Sequence, residues 1–315
     1  MKKLIFSLII MVVCIRLSAQ QEHHYTQFMY NKLFYNPAYA GARGVPTVTG
    51  IFRSQWMGFD GAPQSGLLSF NSPFLTPRVG VGVVMSMKKI GLERDFNGSL
   101  AYSYELVKLE NVSVRAGIQA SIRSLTTAFQ DATPISIGDP SIDNQQVSSI
   151  FGNVGAGVYA TFMQRYYVGF SVPRIHANTI GLANSNATQI AKEAQHFYAT
   201  TGGIFPVSED INLMPAVLVK YVKNAPLDVD VNVNLDIRQK VTAGLSYRVG
   251  GDGSGESIDL LVMWQASEQI GLGAAYDFSL SNLKDYNAGS IEIMVQADLK
   301  KPNKKKGVFS PRFFM

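Results

Sequence analysis

The sequence predicts an all-β chain: a transmembrane outer-membrane β-barrel of about 14 antiparallel strands, with an N-terminal segment plugging the lumen. Three observations predict it. Apolar and polar residues alternate at period two through most of the 315 residues. The alternating segments are long, and their number is even. The connections divide into tight turns on one side and long stretches on the other.

The first element is a signal peptide, 1–19. Lys2 and Lys3 precede an apolar run, Leu4 to Val13, too short to span a bilayer as a helix, and Leu17-Ser18-Ala19 resembles a small-residue cleavage site. Val13 is a poor neighbour for lipidation of Cys14, the only cysteine, so the mature chain carries no disulfide or thiol chemistry. The second element, 20–44, has neither helical nor strand period. HYTQFMYNKLFYNPAYAG (24–41) is rich in aromatics, which argues against disorder, and Asn36-Pro37 and Gly41 supply turn chemistry.

The barrel follows over 45–300, with strands expected near 46–56, 63–73, 78–89, 92–108, 111–127, 152–164, 165–175, 195–206, 210–223, 226–237, 239–249, 256–266, 268–280 and 287–300. The pattern is plainest in LDVDVNVNLDIR (227–238). Leu227, Val229, Val231, Val233, Leu235 and Ile237 share one face, and Asp228, Asp230, Asn232, Asn234, Asp236 and Arg238 share the other. Segments 112–123, 240–249, 269–278 and 290–299 repeat it. Most are longer than the ~5–6 residues of a soluble strand and long enough to cross a bilayer at a tilt. In lipid, only closure into a ring leaves no unpaired backbone edge. Tyr102, Tyr104, Tyr166, Tyr167 and Tyr221 fall near strand ends, as interfacial girdles do.

Tight turns are expected at Glu110-Asn111, Gln164-Arg165, Ser208-Glu209, Arg238-Gln239 and Ser267-Glu268, and long connections near 128–151 and 174–194. If the chain enters from the periplasm, every tight turn is periplasmic and both long connections are external. Both termini are then periplasmic. A soluble sandwich gives no reason for that segregation. The last element is a basic tail, 301–315.

Charge excludes a nucleic-acid surface on the body. Of 28 Lys and Arg, three lie in the signal and six in the last sixteen residues, leaving 19 against 23 acids. Catalytic signals are weak. His23, His24, His176 and His196 have no metal-binding spacing, and GxSxG, HExxH and P-loop motifs do not occur. No cofactor is implied, and the chain is not expected to be an enzyme. Gly155 and Gly157, like Gly271 and Gly273, alternate along strands and let something inside the lumen approach the wall. Asp228, Asp230, Asp236, Arg238, Lys240, Arg248, Arg115 and Arg123 are assigned to the lumen face.

YTQFMYN with NPAYAG, FRSQWMGFDGAP (52–63), YDFSLSNLKDYNAGSIEIM (276–294) and SPRFF near the end resemble the PorP/SprF family across the whole mature chain. That resemblance implies an outer-membrane barrel, shaped like fatty-acid transporters, associated with type IX secretion and gliding motility in the Bacteroidetes. It also implies non-enzymatic work in export or surface anchoring of a secreted adhesin, or of its C-terminal domain at the outer face, beside periplasmic secretion-machine proteins and outer-membrane lipid. The matching positions are Tyr25, Thr26, Gln27, Asn31, Asn36, Pro37, Tyr39 and Gly41 in the plug motif, and Arg53, Gln55, Trp56, Gly58 and Pro63 in a barrel-wall motif. Pro311, Arg312 and Phe313 carry the tail motif behind a Lys-rich stretch. The alternative is a passive transport barrel for hydrophobic or small solutes.

Overall fold

The structure, a computed structural model, describes residues 24–128, 146–180, 191–223, 225–250 and 257–300. Residues 24–44 form three single 3-10 turns, Phe28–Tyr30, Lys32–Phe34 and Pro37–Tyr39. Seventeen strands follow among the described residues: β1 (Thr47–Ser54), β2 (Gln64–Phe74), β3 (Thr76–Ile90), β4 (Glu93–Lys108), β5 (Val112–Ala128), β6 (Gln146–Phe162), β7 (Tyr166–Val172), β8 (Thr179–Ile180), β9 (Ala191–Lys192), β10 (His196–Gly203), β11 (Phe205–Pro206), β12 (Ile211–Val222), β13 (Asp228–Ile237), β14 (Val241–Val249), β15 (Ser257–Gln265), β16 (Ile270–Ser279) and β17 (Ser290–Asp298). Strands β8 and β9 pair only with each other, and β11 is a two-residue appendage to β12. The other fourteen close into one antiparallel ring through the pairings β1–β17 and β10–β12.

The ring is apolar outside and polar inside, as lipid demands. On β13, Val231, Val233, Leu235 and Ile237 are exposed, whereas Asp230, Asn232, Asn234 and Asp236 are buried. The same inversion holds on β17, with Ile291, Ile293 and Val295 outward and Glu292, Met294 and Gln296 inward.

Several details differ from the sequence reading. Strand β6 starts at Gln146, well before 152, because Gln146 to Phe151 still pair with β5. Arg238 and Lys240 are not lumen residues. They flank a tight turn in which Arg238 and Gln239 both have positive φ (54° and 55°), the backbone twist that joins two strands most directly. Tyr167 points inward and is buried, while Tyr102, Tyr104 and Tyr221 are exposed outward. The turn after β6 centres on Met163-Gln164, again with positive φ at both residues.

Thr47 pairs with Asp298, so β1 begins where β17 ends. His24, by contrast, contacts Lys220 and Asp228, which flank the 223–227 connection at the other end. The two described ends of the chain therefore lie at opposite ends of the barrel. The termini themselves, the signal 1–19 and the tail with Pro311, Arg312 and Phe313 lie outside the described residues, as do parts of both long connections.

Candidate functional site

Alternation places small or polar residues on the inner face, and residues 24–44 run against that face. At the end bearing the 223–227 connection, Arg53 of β1, Asp277 of β16 and Glu292 of β17 converge. Arg53 donates to Asp277 at 2.5 Å, to Glu292 at 3.2 Å and to the Thr26 hydroxyl at 3.0 Å. Glu292 accepts the backbone N–H groups of Thr26 (2.9 Å) and Gln27 (3.0 Å) and the Gln27 side chain (3.2 Å). The Thr26 hydroxyl also contacts Asp277 at 2.9 Å. Every partner is buried, so these charges are little screened by water.

A second ionic group adjoins the first. Arg248 meets Asp230 at 2.5 Å and lies 3.8 Å from both Asp259 and Asp277. Lys220 lies 2.8 Å from Asp230 and 3.4 Å from Asp228, and it donates to His24 Nδ1 at 2.6 Å. Burial, with Lys220 and Arg248 nearby, holds His24 well below the usual imidazole range, so the ring is a neutral acceptor. His24, Asp228 and Asp230 are close enough together to hold a cation, and the Lys220 ammonium already supplies one there. Across the lumen, Arg123 pairs with both oxygens of Asp95 (3.0 and 2.8 Å) and with Glu193 (3.0 Å).

The segment then descends. Asn31 accepts from Ser69 at 3.2 Å, and the Tyr30 carbonyl accepts from Gln296 at 3.2 Å. Asn36 caps the Pro37–Tyr39 turn by accepting from the Ala38 N–H (2.9 Å), and its amide donates to the Val158 carbonyl (2.9 Å). Pro37 opens that turn, where its missing N–H costs nothing. Gly41 donates to Asn71 at 2.5 Å, and Arg43 pairs with Asp298 at 3.0 Å.

Aromatic packing fills the spaces between these bonds. Tyr25 meets Phe34 edge-on at 5.4 Å, and Tyr39 meets Tyr159 at 5.3 Å. The Lys32 ammonium sits 4.5 Å from the centre of the Tyr167 ring. Burial, reinforced by Arg43, pushes the Lys32 amine down to about 7.

Two of the alternating glycines touch this segment. A Cβ on Gly157 would collide with the Asn36 amide, and one on Gly273 with the Gln27 side chain. Gly155 instead gives room to Pro173, and Gly271 to Met263.

All eight positions of the first motif, Tyr25 to Gly41, thus gather on the inner face. The second motif divides. Arg53 points inward, but Gln55, Trp56, Gly58 and Pro63 stand in or beside the 55–63 connection rather than in the wall. That connection has a fixed backbone: Gln55 N–H donates to Pro63 (2.9 Å), Met57 N–H to Gly289 (2.9 Å) and Gly91 N–H to Gly61 (2.9 Å). Trp56 and Gly58 adopt positive φ there (48° and 90°). Sequence reasoning missed Glu292, Asp277, Asp259 and Lys220 as site residues. Their one signal was position, since each is an ionisable residue at an inward parity.

A family model for the type IX secretion system membrane protein PorP/SprF matches residues 17–297. The chain belongs to the PorP/SprF family. Among solved structures it is similar to the outer-membrane protein Omp33 of Acinetobacter baumannii, with TM-score 0.50, 10% identity, and 81% of this chain and 97% of that one covered. It also matches a FadL homologue of Pseudomonas aeruginosa with TM-score 0.47, 12% identity, and 85% and 93% coverage. No curated protein sequence matches it. The fold of this PorP/SprF protein is therefore that of an outer-membrane barrel, and its family is that of a secretion-system membrane component.

Proposed function

We propose that this PorP/SprF protein is a non-enzymatic outer-membrane component that assists export or surface anchoring of secreted adhesin-type proteins. In this reading the segment 20–44 plugs the lumen, and the plug motif Tyr25, Thr26, Gln27, Asn31, Asn36, Pro37, Tyr39 and Gly41 holds it there. The observation that carries the proposal is the buried engagement of Thr26 and Gln27 by Glu292 and Arg53. A lumen occupied by its own chain suits a docking or gating component better than an open pore.

The secreted protein, or its C-terminal domain, engages the end bearing the long connections near 128–151 and 174–194. Periplasmic secretion-machine proteins meet the end with the short turns, and the tail motif Pro311, Arg312 and Phe313 is assigned to the same contact. The test is deletion of the gene followed by surface labelling of secreted adhesins. Loss of display of one or more adhesins is expected, and full display of all of them overturns the proposal. Affinity capture from mild detergent then distinguishes the partners. Ring components mark a general machine subunit, and a single large adhesin marks a dedicated exporter.

The charged lumen favours a second reading, passive transport of hydrophobic or small solutes. Reconstituted protein with neither conductance nor ligand uptake excludes it.

A further inference from the structure

The connection after β7 turns into the lumen. Val172 ends β7, and Pro173 packs on the inner face of β6, where Gly155 leaves room for its backbone. The Pro173 carbonyl accepts from Gln119 of β5 at 2.9 Å, and the Ile175 N–H donates to the Val154 carbonyl at 2.9 Å. The Asn153 side chain takes both backbone groups of His176. It accepts from the His176 N–H at 3.0 Å and donates to the His176 carbonyl at 2.6 Å. A side-chain amide that pairs with one residue's N–H and C=O together recognises polypeptide backbone, whatever side chain that residue carries.

The described parts of this connection, 173–180 and 191–195, hold to each other as a strap. Strands β8 and β9 pair there, and Gln195 donates to the Ile175 carbonyl. The strap contributes no strand to the ring, so it can move without breaking the barrel's ladder. One buried carboxylate latches it. Glu193 accepts from Arg123 of β5 at 3.0 Å, from Asn153 of β6 at 3.1 Å and from Asn178 of the strap itself at 2.9 Å. Arg123 meanwhile keeps Asp95 on Nε and Nη2, so only its Nη1 is spent on the strap. Beneath lies a cavity of about 20 Å³ between Arg174, Ser121 and Phe34 of the N-terminal segment. The Ser86 hydroxyl and the Asn97 carbonyl oxygen line it without a hydrogen-bond partner among the described residues.

A wall that grips backbone through Gln119 and Asn153, and a carboxylate through Arg123, suits an acidic stretch of extended chain. The strap is an internal copy of such a ligand. We propose that the inner faces of β5 and β6 at the long-connection end bind an extended, acidic polypeptide segment, and that the strap fills this site until the segment displaces it. The proposal deepens the export and anchoring reading and rests on it for the source of the segment, a secreted protein at the outer face.

The experiment uses the full-length protein in mild detergent. Cys14 lies in the signal, so Ser121→Cys places a single thiol under the strap. A polar thiol reagent should label it slowly, and about tenfold faster once Glu193→Gln is added. The second readout is fluorescence anisotropy with dye-labelled Val-Pro-Glu-Ile-His-Ala-amide. This probe copies 172–177 but carries a carboxylate where the strap has Arg174. Glu193→Gln should bind it about tenfold more tightly than wild type, because the strap no longer competes. Asn153→Ala should split the two readouts. Labelling rises as the strap loosens, yet no peptide binding is gained, since the wall has lost its backbone contact.

Equal labelling with and without Glu193→Gln overturns the proposal, as does equal peptide binding by Glu193→Gln and wild type. So does tight peptide binding by Asn153→Ala, or undiminished binding of a probe with glutamine in place of its glutamate. Unheated migration on a gel checks that each variant folds. If Glu193→Gln does not fold, Asn178→Ala weakens the same latch from the strap side and carries both readouts. Loss of adhesin display on gene deletion, without peptide binding, removes this site alone. Full display with peptide binding removes the export reading and leaves the site.

Discussion

Glu292 accepts the backbone N–H groups of Thr26 and Gln27, residues 266 and 265 positions away, and also accepts from the Gln27 side chain and from Arg53. One carboxylate therefore fixes the start of the described chain to the last strand and the first. Glu292→Ala removes the acceptor for two buried amides and leaves Arg53 with one carboxylate, Asp277, and the Thr26 hydroxyl. It should destabilise the barrel by about 2–3 kcal/mol. Thermal unfolding in detergent measures the loss, and protease cleavage within 24–44 should accelerate. An unchanged melting point with an intact segment rejects the assignment.

Asn36 is held by close approach to the wall at Gly157. Gly157→Val drives a side chain into the Asn36 amide, with a cost of about 1–3 kcal/mol. Asn36→Ala alone also destabilises, since it loses the cap and the bond to the Val158 carbonyl. In the double variant the two costs should sum to less than their total, because the clash disappears. Additivity in that cycle would show that the two residues do not meet.

Lys32 gives the pH dependence. Its amine titrates at about 7 in the folded chain and at 10.5 when solvated. Between those values the unfolded state binds more protons, so stability rises with pH. Tyr25 and Tyr30, both pushed upward by burial, oppose this only as pH nears their ordinary value. Relative to Lys32→Met, the wild-type melting point should climb from about pH 7 to about pH 9 and stay flat below that window. A constant difference between the two proteins across the range counts against a neutral buried amine.

The plug proposal predicts silence in a planar bilayer. A fourteen-strand ring is wider than its own side chains can fill, so removal of residues 24–44 should convert a non-conducting protein into a conducting one. Equal conductance of the full-length and shortened proteins dismisses a plug.

The strand set was legible because lipid imposes a simple rule on every strand. The alternation in 227–238 identified β13 and its faces directly, and fourteen ring strands follow from the same rule. Turn geometry was less legible. Arg238 and Lys240 continue the polar parity of their strands, and only backbone φ reveals that they belong to the turn. Tyr167 sits at a strand end like a girdle residue, yet it packs inward on Tyr159 because the segment 24–44 supplies it with neighbours. The candidate site was least legible. Composition suggested that the 24–41 stretch packs inside, but contacts between positions such as Thr26 and Asp277 leave no periodic trace. The second motif misled for a related reason, since it spans a strand end and its connection and has two surroundings.

The ring closes where β1 meets β17, and that seam joins the strand just after the N-terminal segment to the final strand made. The same two strands supply Arg53 and Glu292, which grip Thr26 from either side. The segment is thus bolted across the joint that completes the circle. Strain on the segment is therefore strain on the closure, and whatever pulls Thr26 away from Arg53 and Glu292 draws on both strands of the seam at once.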